Sequence, residues 1–102
     1  MPEPSVVVSP EAEADLQDIF LYIVRGGGVA AASRYDAGIR ERIRSLAAMP
    51  LRGQDASALR AGSRRMVHLS HIIYYQPVED GVLVLRVIHS SRDQASALRE
   101  GE

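Results

Sequence analysis

The spacing of apolar residues changes several times along the chain, and each change predicts an element. Val6-Val7-Val8 is a short apolar run and reads as a first strand over 5–8. Ser9-Pro10-Glu11 has the form of a helix start, with Ser as N-cap, Pro at the first helical position and an acid in the first turn. Ala12, Leu16, Ile19, Phe20 and Ile23 then follow helical spacing and give one apolar face. Gly26-Gly27-Gly28 ends this helix, because successive glycines lose too much backbone entropy to stay helical. A second helix is predicted over 29–49, striped by Tyr35, Ile39, Ile43 and Leu46 and stopped by Pro50. So short a connection predicts an antiparallel helical hairpin.

The period then shortens. Residues 51–62 are rich in Gly, Ser, Asp and Arg and read as a loop. Strands are predicted over 64–69, 71–76 and 82–89, the last two joined by a turn over 77–81. Residues 95–102 read as a polar tail with room for one frayed turn. The 82–89 strand is nearly continuous in apolar residues, so it belongs inside a sheet. Strand alternation predicts Leu83, Leu85 and Val87 beneath the helices. Val82, Val84, Arg86 and Ile88 then lie on the opposite face, with Arg86 looking outward. The expected fold is α+β, a helical hairpin packed on one face of a small, mainly antiparallel sheet.

Composition narrows the class. A chain of 102 residues is one domain, 1–102, and buries roughly 60–70% of its unfolded surface. Its 46% apolar and 25% charged fractions are ordinary for a globular protein. No apolar run approaches the ~20 residues a membrane helix needs, and no basic segment followed by an apolar one opens the chain. A cytoplasmic protein without membrane contact is expected. There is no cysteine, which excludes disulfides and thiol catalysis. All 12 basic residues are Arg, yet the net charge is −1. Genomic base composition accounts for the first fact, and Arg forks also suit interface pairing. The second lacks the basic surplus of a protein that grips phosphate backbones. No sequence-specific nucleic-acid binding by this chain alone is expected.

Several residues invite chemistry. Arg86 interrupts an apolar strand, and two readings stand. It contacts an anion or partner from an open sheet face, or it is a structural Arg paired with Glu79, Asp80 or Asp93. His68, His71 and His89 invite acid–base chemistry or are hydrogen-bonded strand-end residues. RNA cleavage needs a base, an acid and a cation, and His89 with Arg65, Arg86 and Arg92 supplies such a set on paper. No metal-ligand spacing, Gly-rich phosphate loop or nucleophile-elbow motif is present, so no metal or cofactor is expected. Arg64-Arg65, with Arg60 upstream, is a solvated edge or part of a binding patch. The first helix ends in surplus apolarity, Ile19-Phe20-Leu21-Tyr22-Ile23-Val24. Its Ala14, Leu21 and Val24 either fill the helix–helix seam or face a partner.

Taken in order, several segments resemble the ParE toxins of the RelE/ParE superfamily of type II toxin–antitoxin systems. They are residues 9–16 with Ile19 and Tyr22-Ile23; residues 32–46 before Met49-Pro50; Ser63-Arg64-Arg65-Met66; His71-Ile72-Ile73-Tyr74-Tyr75; and Leu85-Arg86-Val87-Ile88-His89-Ser90-Ser91-Arg92-Asp93. The resemblance spans about residues 6–95. It implies a β-α-α-β-β-β fold and a cognate, ParD-like antitoxin that wraps the toxin, covering Leu21 and Val24. It also implies a toxin that arrests growth by binding DNA gyrase. Target contacts are expected at Arg65, Arg86, His89, Arg92 and Asp93, with Asp93 orienting Arg92. RelE-like relatives instead cleave mRNA on the ribosome. This chain has neither Tyr nor His after Arg92 to act as an acid, and it has no lysine. Catalytic residues are therefore not expected.

Overall fold

Glu79-Asp80 turns the chain so tightly that two long strands lie antiparallel at the centre of the fold, and the rest is arranged around them. The computed structural model describes residues 3–100. The elements are β1 (Ser5–Val8), α1 (Pro10–Ser45), β2 (Gln54–Asp55), β3 (Arg64–His68), β4 (His71–Val78), β5 (Gly81–His89) and α2 (Gln94–Arg99). The five strands run in the order β1-β5-β4-β3-β2, with β1 parallel to β5 and the other pairs antiparallel. The expected α+β architecture, a helical hairpin on a mainly antiparallel sheet, is the one found.

Ser9 caps α1 as the sequence indicates: its side chain accepts from the Ala12 N–H, and Pro10 follows it. The two expected helices are the arms of α1. Only Gly28 leaves the helical region, at φ 88° and ψ 171°, so Gly26 and Gly27 remain helical. That backbone is accessible to glycine and strained for other residues. The second arm ends at Ser45, earlier than expected, and residues 46–48 continue as turns. At the other hinge, a Cβ on Gly81 would sit 1.9 Å from the Ser5 carbonyl oxygen. Glycine there lets β1 approach the start of β5.

β5 contains one extra residue. Tyr74 pairs with Arg86, but Tyr75 pairs with Val84, so Leu85 has no partner across the ladder. This bulge reverses the facing pattern. Val82, Val84 and Val87 lie beneath α1, against Ala12, Leu16, Ile39, Ile43, Leu46, Ile73 and Tyr75. Leu83, Leu85 and Ile88 lie on the opposite face with Ile72 and Tyr74. The simple alternation predicted for this strand is therefore wrong for Val82, Leu83, Val84 and Leu85.

The opposite face is not open. Residues 94–99 form α2, whose Ala97 and Leu98 are buried against it. The expectation of a polar tail failed because two apolar residues in a six-residue helix suffice to seal a narrow sheet. Among the described residues no helix is long and apolar enough to cross a membrane.

Candidate functional site: a groove between the helical hairpin and the end of the sheet

The two arms of α1 reach past the sheet. Near Ser9 they are packed tightly, and Arg40 joins both arms by pairing with Glu13 at 3.0 Å and Asp36 at 3.0 Å. Further along, the cover thins. Leu21, Tyr22 and Val29 are exposed, Tyr22 by 76% and Val29 by 62%. Beneath this overhang lies a groove of about 800 Å³. One wall is helical, from Asp15, Asp18, Ile19, Tyr22, Ile23, Ala31 and Tyr35. The other is the end of the sheet, from Ser70, His71, Val87, Ile88, His89, Ser91 and Arg92.

The inner end of the groove is closed by a clamp. Asp15 lies between Ala12, Leu16 and Ile19 on the inward side of α1, so burial would disfavour its charge without a partner. Its partner is Arg86, which is 6% exposed. Arg86 Nε donates to Asp15 Oδ2 at 2.7 Å and Nη2 to Oδ1 at 3.0 Å, a bidentate pair. Arg86 Nη1 donates to the Ala97 carbonyl at 2.7 Å. Asp15 also accepts the Val87 N–H at 2.8 Å. One buried pair thus ties α1, β5 and α2 together. The carboxylate beside it holds the Arg86 guanidinium more firmly protonated than usual, against the opposing cost of burial.

Tyr35, His71 and His89 bring three rings to the groove, and His68 packs behind Tyr35. His71 and His89 face each other across the β4–β5 ladder, with centroids 5.1 Å apart and planes at 85°. Tyr35 meets His71 edge-on at 5.4 Å and His68 at 5.7 Å, and its hydroxyl hydrogen-bonds His71 Nδ1. Burial, reinforced by His89 and His68, lowers His71 to about 4, so near neutral pH it is an uncharged ring. Burial raises the Tyr35 hydroxyl, and a backbone bond from Ser70 opposes it. His89 Nδ1 accepts the Ser91 N–H at 3.1 Å and contacts Ser91 Oγ at 2.7 Å. This is a local turn contact and supplies no reactive third partner.

The structure separates the residues named from sequence. His89 and Arg92 line the groove. Arg86 is internal, so the expectation that it looks out from an open face is corrected. The reading as a structural Arg is right in kind, but the carboxylate is Asp15. Asp93 does not orient Arg92. It caps α2 through the Ser96 N–H, and Arg92 pairs with Glu100 at 2.7 Å. Arg65 sits across from Tyr74, on the sheet face away from α1, and donates to Gln54 at 3.2 Å. His89, Arg65, Arg86 and Arg92 therefore form no single constellation. Leu21 is exposed on the overhang, while Val24 is half-buried. Sequence reasoning missed Asp15 and Tyr35 as parts of this site, and it named His71 only as one of three acid–base candidates. Asp15 carried a usable signal: an acid on an apolar helix stripe and an Arg in an apolar strand each need a partner, and each is the other's.

Three comparisons bear on this arrangement. A sequence family described as "ParE toxin of type II toxin-antitoxin system, parDE" matches residues 6–94. Toxin ParE1 of Caulobacter vibrioides is 36% identical over 91 residues, covering 89% of this chain and 94% of that protein. Toxin ParE1 of Mycobacterium tuberculosis is 31% identical over 88 residues, covering 85% and 90%. A solved structure titled "Chromosomal ParDE TA system from P. aeruginosa" superposes with a TM-score of 0.75 at 19% identity. That match covers 84% of this chain and 95% of the other, and it speaks to the fold.

Proposed function

The chain belongs to the ParE toxin family of type II toxin–antitoxin systems, and from that premise we propose that it acts by binding rather than by catalysis. Its target in this reading is DNA gyrase, and a ParD-like antitoxin silences it by occupying the groove under the hairpin. The exposed apolar overhang is the observation that supports the groove as the antitoxin's seat. Leu21, Tyr22 and Val29 are large and open to solvent, and Tyr22 lines the groove itself. An amphipathic segment laid there would bury them together with Ile19 and Ile23.

A binding mode of action is supported by what the geometry keeps apart. RNA cleavage asks for a base, an acid and a cation around one phosphate. Here the candidate arginines lie in the interior, on the far face and at the groove rim. His71, the best-enclosed imidazole, hydrogen-bonds Tyr35 rather than an accessible group. His89 and Arg92 remain as surface contacts for a partner.

The test is a supercoiling assay with purified gyrase, run with and without the antitoxin encoded beside the toxin. Inhibition and trapped cleavage complexes at micromolar toxin, relieved by the antitoxin, are expected. Unimpaired supercoiling at that concentration would remove gyrase as the target. Full toxicity of a complex saturated with antitoxin would remove the neutralising partner.

A further inference from the structure

Half of the arginines sit within one short stretch. Residues 42–65 hold six of the 12, with Asp55 as the single acid, so this stretch carries a net charge of +5 in a protein whose total is −1. It ends α1, forms β2 and opens β3. Antiparallel pairing places Arg64 opposite Tyr75 and His68 opposite His71, so the start of β3 lies at the end of the sheet away from the groove. No residue of the stretch lines the groove. Among the described residues Arg44 pairs with Glu41, and the other five arginines form no salt bridge.

Three of them stand together on the α1 side of the β2–β3 edge. Met66 of β3 is buried beneath α1, and Arg64, two residues before it, shares that side. Arg64 Nη1 donates to the Gly53 carbonyl at 2.7 Å and to the Leu51 carbonyl at 3.2 Å. Arg42, in the last turn of α1, reaches Met66 Sδ at 3.4 Å, and its buried Nε has no hydrogen-bond partner. Arg52 is exposed beside them, near Met49 at 58% and Leu51 at 69% exposure. The loop that carries these residues is pinned from below. The buried Tyr75 hydroxyl donates to the Pro50 carbonyl at 2.8 Å and accepts the Gly53 N–H at 2.8 Å. Arg65 looks to the other face of the sheet and takes no part.

Guanidinium forks set around an exposed methionine and leucine have the make-up of a protein interface, where Met and Arg are enriched. A phosphate backbone offers charge to Arg52 and Arg64 but gives Met49 and Leu51 nothing to bury against. An acidic protein surface with an apolar centre satisfies both, because carboxylates match the guanidinium fork. A pinned loop also loses little further freedom on docking. We propose that the α1 side of the β2–β3 edge is a second contact surface, which docks a protein face carrying carboxylates around an apolar patch. The partner is the toxin's target, so its identity as gyrase rests on the function proposed for the chain. The target is then held at two places, the groove rim and this edge, and the antitoxin competes only for the first.

Association and dissociation kinetics of the purified toxin on purified gyrase test this surface, with antitoxin binding as the parallel measurement. Leu51 and Arg52 are exposed and their side chains make no hydrogen bond among the described residues, so the fold tolerates their replacement. Leu51→Ser with Arg52→Glu weakens gyrase binding at least about tenfold, and Arg52→Glu alone slows association and flattens its salt dependence. Arg34→Glu makes the same change of charge at an exposed position on the hairpin and leaves gyrase affinity within about twofold. Antitoxin affinity is unchanged in the two edge variants. Undiminished gyrase binding by the double variant overturns the proposal and leaves gyrase as the target. Wild-type toxin that does not bind gyrase removes both. An equal loss in Arg34→Glu means that net charge alone is read, and an equal loss of antitoxin binding means that the edge belongs to the antitoxin; either overturns the proposal. So does binding of the toxin to a short DNA duplex at physiological salt that Arg52→Glu abolishes, because the occupant is then a phosphate backbone.

Discussion

The two ends of the α1 hairpin differ, although both are amphipathic. At the base, Ala12, Leu16, Ile39 and Ile43 meet Val82, Val84 and Ile73 in one buried cluster, and the Arg40 pairs and the Asp15–Arg86 clamp complete it. At the tip, Leu21, Tyr22 and Val29 are exposed. Helical spacing is the same in both places. What differs is the reach of the sheet, because β1 stops at Val8 and β5 at His89. The lesson is that an apolar helix face becomes core or stays exposed according to what the rest of the chain places opposite it.

The strongest way to break the contrast is to loosen the base. Arg86→Met leaves Asp15 buried without its cation and frees the Ala97 carbonyl. Removing one partner of a buried pair costs about 3–5 kcal/mol, a large share of the roughly 5–15 kcal/mol that holds a domain together. Urea unfolding should show that loss. Replacing both partners, as in Asp15→Leu with Arg86→Met, should recover part of it, because no unpaired charge then remains. Recovery stays incomplete, since the Val87 N–H still lacks its acceptor.

The boundary between base and tip is His71, and pH probes it. An unfolded imidazole protonates near 6.5, while His71 in the fold does so only at about 4. Between those values the unfolded chain binds the extra proton. Stability is therefore complete above about pH 6.5 and falls as pH drops towards 4, by up to about 3 kcal/mol. His68, also lowered by burial and then by Arg42, pushes the same way. Unfolding free energies measured from pH 7.5 to 4 should show this slope, and His71→Gln should flatten it. An unchanged slope in that variant would assign the effect to other groups.

Much of the base was legible in the sequence. The Ser9-Pro10 start, the two helical stripes and the four predicted strands rest on local periodicity, which the folded chain preserves, whereas β2, two polar residues inside the predicted 51–62 loop, carries no such signal. The bulge at Leu85 was not legible, because one extra residue in a uniformly apolar run leaves no mark on hydropathy. Its effect was to invert the facing of Val82, Leu83, Val84 and Leu85. α2 escaped notice for a related reason: Ala97 and Leu98 are too few to make a periodic signal, yet their burial decides whether the far face is open. The groove was legible only by half. Surplus apolarity at Leu21 and Tyr22 was visible, but its opposite wall comes from residues more than forty positions away.

The turn at the tip can be strained to sharpen the contrast. Gly28 adopts φ 88° and ψ 171°, and a Cβ there meets no atom within 4 Å. Gly28→Ala therefore costs backbone strain alone, about 2 kcal/mol. The strain should distort the tip and leave the base intact. Faster amide exchange over 24–32, with unchanged exchange at Leu16 and Ile43, is the expected pattern.

The smallest expected effect on stability is at Tyr22. Its side chain is 76% exposed, so Tyr22→Ala removes almost no folded-state contact, and a change within about 0.5 kcal/mol is expected. Antitoxin affinity should respond quite differently. A large aromatic ring in a groove wall is the kind of residue whose truncation costs about 2 kcal/mol or more, about thirtyfold in affinity. Leu16→Ala reverses the ratio: the fold should lose about 2–5 kcal/mol, while affinity measured on the folded fraction should hardly move. Calorimetric titration of both variants with the antitoxin, beside their melting curves, separates the two roles. Equal affinity losses in both would mean that the overhang is no more a binding surface than the core is.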